Sequence, residues 1–315
     1  MALMALLSEW AEARAKPPPI VLTVDHGLRP GSAREGKAVL AAAKAAGLEA
    51  HALKWTGAKP KSDIEAAARE ARYRLMGTWC RRHGIPALYL AHTREDQAET
   101  FLLRLARGTG LDGLAAMQPV APFPLPGFGE LVLARPLLGM GRSDLRAFLE
   151  GRGLAWSEDP MNEDPRFARV RLRAMWPALE AAGLTPGRIA DAASHLARAR
   201  AALEAAVSDA LARHVRFEAG RALFDPAALG DTSEEVGLRV LAALLGRVSG
   251  AAYRPRFERL KRLYGAILAG KLGKGRTLHG CRIAPAPKRQ AHFGGGTLMI
   301  VRETARGARS AHASV

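Results

Sequence analysis

The sequence predicts an α/β protein with an open, parallel, Rossmann-like sheet, followed by a mainly helical region and a small basic C-terminal module. Short apolar runs rich in β-branched residues, such as Ile20–Val24, alternate with longer helical segments, which is typical of parallel strands buried on both faces. Aromatic residues make up only 6% of the chain, which argues against a β-sandwich. The length of 315 residues allows about two domains, each with its own core.

The elements follow one another in a regular order along the chain. We predict helices over residues 1–16, 32–46, 62–83, 95–107 and 142–151, and strands over residues 20–24, 49–55, 87–91 and 131–134. Ser32 and Ser62 are the predicted N-caps of two helices, because each precedes a glutamate by three residues. We also predict helices over 191–212 and 234–269, the latter with a break at Pro255, a strand over 220–224 and short basic strands in the rest of the chain. The predicted parts are therefore residues 1–185, 186–269 and 270–315.

The charge balance of the chain favours an anionic partner. Lys and Arg number 47 against 30 Asp and Glu, which gives a formal net charge of +17. A surplus of this size creates a positive field over much of the surface, and nucleic acid is the first candidate partner. An arginine-rich codon usage is the alternative explanation.

Cysteine usage and the N-terminus exclude several classes of protein. The two cysteines, Cys80 and Cys281, form no metal-ligand or disulfide pattern, so structural zinc, iron–sulfur and disulfide chemistry are not expected. The apolar stretch Met1–Leu7 is too short to span a membrane and lacks the charged start of a signal peptide. We therefore expect a cytoplasmic protein without a membrane partner.

Candidate site residues cluster where two predicted strands end, which is where open α/β sheets bind ligands. Asp25 and His26 follow the first strand, and His92 follows the third. Asp96 and Glu99 are three residues apart, which places both carboxylates on one face of the next helix and makes a pocket for a cation. Alternatively, Glu95 and Asp96 complement the helix dipole while Glu99 forms a solvated salt bridge, and Asp25 caps the next turn.

The same helix ends in a glycine-rich turn that starts at Arg107. Gly108 and Gly110 expose backbone N–H groups that could approach a phosphate beside this arginine. Helix C-caps use glycine routinely, so a purely structural turn is the alternative.

The motifs, taken in order, resemble those of the tRNA(Ile)-lysidine synthetases, which belong to the N-type ATP pyrophosphatase superfamily with its adenine nucleotide alpha hydrolase-like sheet. The resemblance covers residues 1–177 and continues more faintly to the C-terminus. The motifs are Thr23–Arg29, Glu70–Tyr73, His92-x-x-x-Asp96-x-x-Glu99-Thr100, Arg107–Leu114, Arg135–Leu138, Glu158–Asn162 and Arg169–Arg173. Each motif is weak alone, whereas the ordered set is specific.

The resemblance implies an ATP-dependent ligase that modifies a tRNA. Cytidine 34 of the minor isoleucine tRNA is adenylated at its C2 oxygen with loss of pyrophosphate, and free L-lysine then attacks C2, so that the anticodon CAU becomes LAU. ATP and Mg2+ are the implied cofactors, and residues 1–185 are the implied pyrophosphatase domain. Asp96 and Glu99 match the residues that hold lysine, while His92 and the turn from Arg107 to Gly110 resemble groups beside the phosphates. Arg72 resembles the family's arginine near the active site, and a surface helix arginine is the alternative. Asp25 and His26 are expected near the nucleotide.

The chain departs from the family pattern at two places. Family members carry an SGGxDS loop after their first strand, where amides bind pyrophosphate, and Met1-Ala2-Leu3 resembles the residues that follow its last serine. We therefore expect the loop and its strand to be absent, through truncation or a late start codon, and activity of the chain as given to be weak. Val170 stands where the family usually has Asn.

Arginines dominate the rest of the predicted tRNA interface. Arg169, Arg171 and Arg173, together with Arg166, give four arginines in eight residues, a pattern suited to phosphate contacts or to a solvated basic helix face. Residues 186–269 are interpreted as a helical tRNA-binding region, with its aromatic residues Tyr253, Phe257 and Tyr264 in the core. A homodimer stays open. The alternative functions are another ATP-dependent tRNA-modifying pyrophosphatase and a non-catalytic tRNA-binding remnant.

Overall fold

The computed structural model describes residues 1–28, 31–57, 59–60, 62–156, 168–251 and 253–303, with only the backbone of Glu65. The chain divides into two compact units, the first comprising residues 1–198 and the second comprising residues 199–315. Arg29, Arg166 and the motif over residues 158–162 lie outside the described residues. No helix in the described ranges is long and apolar enough to cross a membrane.

The first unit alternates strands and helices as the sequence predicts. Its elements are α1 (Ala2–Ala13), β1 (Val21–Asp25), α2 (Ser32–Ala45), β2 (Ala50–Lys54), α3 (Ile64–Arg82), β3 (Ala87–Tyr89), α4 (Arg94–Leu105), α5 (Leu111–Leu114), β4 (Val120–Pro122), β5 (Val132–Ala134), α6 (Arg142–Glu150), α7 (Ala168–Ala174) and α8 (Trp176–Ala181). The strand β4 is an element that the sequence did not indicate.

The parallel strands of the first unit belong to two sheets. Strand β1 pairs in parallel with β2, from Val21 opposite Ala50 to Asp25 opposite Lys54. Strand β3 pairs in parallel with β5, and β4 adds to the other edge of β5 in the antiparallel direction. Parallel pairs joined through helices confirm the α/β prediction. The sequence did not foresee that, among the described residues, β1 and β3 lie in separate sheets.

The core of the first unit forms between α3 and these strands. Tyr73, Met76 and Cys80 lie on one face of α3 and pack with Leu88 of β3 and Leu133 of β5. Their spacing of three and four residues is that of an amphipathic helix. This packing holds α3, the helix that carries Arg72, against β3 and β5.

Two predicted helix caps are wrong. Ser32 is the first residue of α2 instead of its cap, and its hydroxyl donates to Asp25 Oδ1 at 2.6 Å. The helix α3 starts after Asp63, which has a left-handed φ of 50° and makes no capping hydrogen bond, so Ser62 is not the cap either. In the first case the hydroxyl finds a charged acceptor at the end of β1, and a charge-assisted hydrogen bond is stronger than an ordinary cap.

The second unit combines helices with an antiparallel sheet. Its elements are the C-terminal part of α9 (Pro186–His214), β6 (Val215–Glu218), β7 (Arg221–Phe224), α10 (Ala227–Gly230), α11 (Glu234–Ser249), α12 (Phe257–Leu268), β8 (Arg276–Leu278), β9 (Cys281–Pro285), a short 3-10 helix (Lys288–Gln290) and β10 (Leu298–Arg302). The strand order is β6-β7-β10-β9-β8. Strands from both sides of residue 270 thus pair in one sheet, and the three-part division stays a prediction.

One face of this sheet packs on α11 and α12. Leu241, Leu244 and Leu245 of α11 are fully buried against Ile283 and Ile300 of the central strands. Helix α11 begins at Ser233, whose hydroxyl accepts a hydrogen bond from the Val236 amide, and ends at Gly250 in the left-handed conformation. The second unit therefore has a hydrophobic core of its own.

The aromatic residues near α12 correct one prediction. Tyr264 is buried in the core and donates to the Leu229 carbonyl oxygen at 3.1 Å. Tyr253 and Phe257, which the sequence analysis placed in the core as well, are 76% and 56% exposed. The helix begins only at Phe257, so helical spacing does not apply to Tyr253.

Candidate active site

The start of α4 is organised by a capping arrangement at the end of β3. The Thr93 amide and hydroxyl both donate to Asp96 Oδ2, at 2.8 and 3.1 Å. Thr93 therefore fixes the first turn of α4 and aims the other carboxylate oxygen, Oδ1, away from the cap. The prediction that Asp96 complements the helix start and the prediction that it binds a ligand are compatible, because different oxygens serve the two roles.

The two candidate carboxylates face two arginines. Arg142 of α6 donates through Nη2 to Asp96 Oδ1 at 2.8 Å and reaches Glu99 Oε1 at 3.5 Å. Arg173 of α7 donates through Nε to Glu99 Oε1 at 2.7 Å and through Nη2 to Oε2 at 3.2 Å. The Glu99 side chain is completely buried. We call these four residues the carboxylate–arginine cluster.

The charges within the cluster stabilise one another. Burial by itself raises the pKa of Asp96, but the Thr93 amide, the Arg142 guanidinium and His92 together hold that pKa below its ordinary value. Burial lowers the pKa of Arg173, and the hydrogen bond and charge of Glu99 more than reverse the effect. Both groups are therefore charged at neutral pH, and the carboxylates can exchange one cationic partner for another.

A second group of site residues carries buried nitrogen atoms without a hydrogen-bond partner among the described residues. They are His26 Nδ1 after β1, Arg72 Nε in α3, His92 Nδ1 after β3 and Arg135 Nε after β5. A buried polar atom that stays unpaired costs about 1–3 kcal/mol, so such a set indicates a ligand that pairs with it. We call these four residues the nitrogen cluster.

Burial, together with nearby positive charge, lowers the pKa values of the two histidines in the nitrogen cluster. Burial is the main cause that lowers the pKa of His92 to about 4. The charge of Asp96 raises this pKa, and the charges of Arg135, Arg69 and Arg169 lower it. Burial and then the Arg72 charge lower the pKa of His26. An incoming anion would relieve this repulsion, so the nitrogen cluster is suited to a phosphate.

Asp25 is engaged in its own turn. Its Oδ1 accepts the Gly27 amide at 2.9 Å and the Ser32 hydroxyl at 2.6 Å, and these two hydrogen bonds lower the pKa of the carboxyl. This is the capping role that the sequence left open. A role of Asp25 toward the nucleotide stays a prediction.

The turn after α4 also has a structural role. The Arg107 and Thr109 amides donate to the Arg104 carbonyl oxygen at 3.1 and 3.2 Å, and the Gly108 amide donates to Leu105 at 2.9 Å. Gly108 has a left-handed φ of 68°, so this is a glycine C-cap in which the three amides serve the helix. Phosphate binding by Arg107, Gly108 and Gly110 stays a prediction.

The predicted tRNA-binding arginines of α7 point in different directions. Arg173 is bound to Glu99, Arg169 lies close enough to affect the pKa values of His92 and Arg72, and Arg171 is exposed. The sequence analysis missed Arg142, which follows a glycine at the start of α6 in no recognisable motif. Its backbone amide also donates to both carboxylate oxygens of Glu95, at 3.0 and 3.1 Å.

Comparison with known proteins identifies the family of this chain. The family model described as a PP-loop domain matches residues 1–179, which agrees with the α/β fold of the first unit. The tRNA(Ile)-lysidine synthase of Methylobacterium nodulans is 42% identical over 310 residues, which cover 96% of this chain and 87% of that protein. The tRNA(Ile)-lysidine synthase of Bradyrhizobium sp. (strain BTAi1) is 39% identical over 320 residues, covering 92% and 88%. The chain therefore belongs to the tRNA(Ile)-lysidine synthase family of ATP-using PP-loop proteins.

Proposed function

We propose that this chain is an ATP-dependent ligase that joins L-lysine to cytidine 34 of the minor isoleucine tRNA. The relatives reported above carry the name of this activity. Within the chain, the proposal is carried by two groups of polar residues, the nitrogen cluster and the carboxylate–arginine cluster. The nitrogen cluster suits phosphates, and the carboxylate–arginine cluster suits an amino acid that carries both signs of charge.

The nitrogen cluster is assigned to the phosphates of ATP. Arg72 and Arg135 provide guanidinium N–H groups, and neutral His26 and His92 can each turn an Nδ1–H toward a phosphate oxygen. When ATP is bound, it supplies the α-phosphate that the cytidine C2 oxygen attacks, with pyrophosphate as leaving group. The role of this chain's residues is to hold negative charge that develops on the phosphates.

The carboxylate–arginine cluster is assigned to lysine. A lysine ammonium group can replace an arginine at Asp96 Oδ1 or Glu99, and the released guanidinium of Arg142 or Arg173 can pair with the lysine carboxylate. Every charge then remains paired, so the exchange avoids the cost of an isolated buried ion. An ammonium group held in this way must first lose a proton to the solvent, and the neutral amine then attacks C2 of the adenylated cytidine, from which AMP leaves with the C2 oxygen.

The described residues do not fit a protein-held magnesium site. They contain no group of three or more His, Cys, Asp and Glu residues that could hold a metal ion, and Asp25, Asp96 and Glu99 already accept hydrogen bonds from protein donors. Cytoplasmic location remains part of the proposal, because the substrate tRNA is used in the cytoplasm. A homodimer stays a prediction, and the +17 charge opposes self-association without a counterion.

Equilibrium binding tests the assignment of the two clusters. We expect Asp96→Asn and Glu99→Gln to weaken lysine binding by about tenfold or more each, with ATP affinity changed less than twofold, because each loses a charged partner of the ammonium group. His92→Asn should weaken ATP binding by about tenfold or more and change lysine affinity less than twofold, because it removes a partner of the phosphates. Asp144→Asn, in α6 and bonded to the Gly141 amide, is the matched control.

The measurement is calorimetric titration of the tRNA-bound chain with lysine or with ATP, together with lysine-dependent pyrophosphate release. Equal losses for both ligands in Asp96→Asn and Glu99→Gln would contradict the assignment of lysine to this cluster. Tight tRNA binding without pyrophosphate release, in a chain that binds neither ligand, would favour the non-catalytic remnant.

A further inference from the structure

A basic cavity of about 510 Å³ lies in the second unit, between α12 and the hairpin of β8 and β9. Arg259 and Arg262 of α12, Arg276 of β8 and His279 of the hairpin turn contribute to its lining. Glu303 is the one carboxylate among the described lining residues. The excess of guanidinium groups over carboxylates makes the cavity a site for an anion.

The hairpin turn presents an imidazole to this cavity. His279 and Gly280 link β8 to β9 with left-handed φ values of 58° and 70°, as in the two-residue turns that favour Asn and Gly. The histidine Nε2 atom is buried and has no hydrogen-bond partner among the described residues. A phosphate oxygen in the cavity would provide that partner.

An exposed aromatic ring adjoins the same turn. The Tyr253 side chain is 76% exposed, and its ring meets the His279 ring edge-on with centroids 5.2 Å apart. Phe257, at the start of α12, is 56% exposed nearby in the sequence. A basic cavity beside an exposed aromatic face is the combination with which proteins bind unpaired nucleotides, by phosphate contacts and base stacking.

We propose that this cavity binds one unpaired nucleotide of the substrate tRNA. The phosphate contacts Arg259, Arg262, Arg276 and the His279 Nε2–H group, and the base stacks on the exposed face of Tyr253. A base within a duplex has both faces covered by its neighbours, so the ring selects an unstacked base. The proposal requires tRNA as substrate and is independent of how lysine and ATP are bound.

Fluorescence anisotropy of the full chain with two labelled RNAs tests the proposal. One is a single-stranded oligonucleotide and the other is a blunt duplex of the same length. We expect Tyr253→Ala to weaken single-strand binding about tenfold without changing its salt dependence, whereas Tyr253→Phe retains the affinity. Arg259→Gln and Arg276→Gln should each lower the salt slope by about one unit. His279→Asn retains a residue suited to the turn and should weaken single-strand binding severalfold.

The control variant is Arg213→Gln, which removes one exposed charge from α9 outside the cavity lining. It should leave the preference for single-stranded over duplex RNA unchanged. If Tyr253→Ala and His279→Asn weaken both RNAs equally, or neither, the proposal is overturned and the surface is a general phosphate contact. Displacement of the oligonucleotide by AMP or inorganic phosphate at equal concentration would overturn it in favour of a free-nucleotide site. His279→Gly replaces His279→Asn if the latter alters the circular dichroism spectrum.

Discussion

Replacement of Arg173 by Gln tests whether the carboxylate–arginine cluster has the charge pairing described above. Arg173 makes two hydrogen bonds to Glu99, whose side chain is completely buried. Removing one partner of a buried ion pair costs about 3–5 kcal/mol, because the remaining charge stays desolvated. Arg142 still reaches Glu99 at 3.5 Å, so we expect the lower end, a loss of about 3 kcal/mol in the free energy of unfolding of the first unit.

The assay is urea unfolding followed by tryptophan fluorescence. All five tryptophans lie between residues 10 and 176, so this signal reports on the first unit alone. Free lysine should restore more stability to Arg173→Gln than to the parent chain, because its ammonium group can replace the lost guanidinium. Norleucine has the same length without the ε-ammonium group and should restore none.

Two outcomes would refute the reasoning. A variant as stable as the parent chain would show that Glu99 does not depend on Arg173 for its charge partner. Equal stabilisation by lysine and norleucine would show that the ε-ammonium group of lysine does not enter the cluster. Arg82→Gln is the control, since Arg82 lies at the end of α3 in the same unit and is exposed.

The remaining predictions concern pH and packing. The folded pKa of His92, about 4, lies below its ordinary value of 6.5, so its contribution to stability is complete above pH 6.5 and is lost as the pH falls toward 4. Fluorescence-monitored unfolding should show a loss of about 3 kcal/mol across this range that His92→Asn removes. Gly237→Ala should destabilise the second unit by about 1–3 kcal/mol, because the new Cβ would lie 2.7 Å from Tyr264 Cε2 and 2.8 Å from the Leu229 oxygen. Gly246→Ala, in the same helix with nothing within 4 Å, should be neutral or stabilising by circular dichroism.

The sequence predicted those parts of the site that depend on local patterns. His92, Asp96 and Glu99 follow from the rule that ligands bind at strand ends and from the three-residue spacing on a helix. Arg142 and Arg173 could not be predicted in this way, because they contact Glu99 from 43 and 74 residues away along the chain. The pairing depends on how α6 and α7 pack, and local patterns carry no information on that packing.

The fold shows the same division between local and distant information. The strands β1, β2, β3 and β5 were predicted because apolar runs mark buried strands. The antiparallel sheet of the second unit was only partly foreseen, since Leu298 of β10 pairs with Phe224 of β7 across more than 70 residues. The prediction that Tyr253 lies in the core was wrong because it applied helical spacing to a residue that precedes Phe257, where α12 begins.

The two carboxylate oxygens of Asp96 have different partners, and this limits how any change at the residue can be interpreted. Oδ2 accepts two hydrogen bonds from Thr93, and Oδ1 faces Arg142. A substrate ammonium group can therefore replace only the partner of Oδ1 without opening the first turn of α4. Asp96→Asn keeps one oxygen and loses the charge, so a helix that unfolds locally and a site that loses its ligand would both reduce lysine binding. Thr93→Val removes only the hydroxyl contact with Asp96 Oδ2. If this variant still binds lysine as the parent chain does, the weaker lysine binding of Asp96→Asn results from the lost charge at Oδ1.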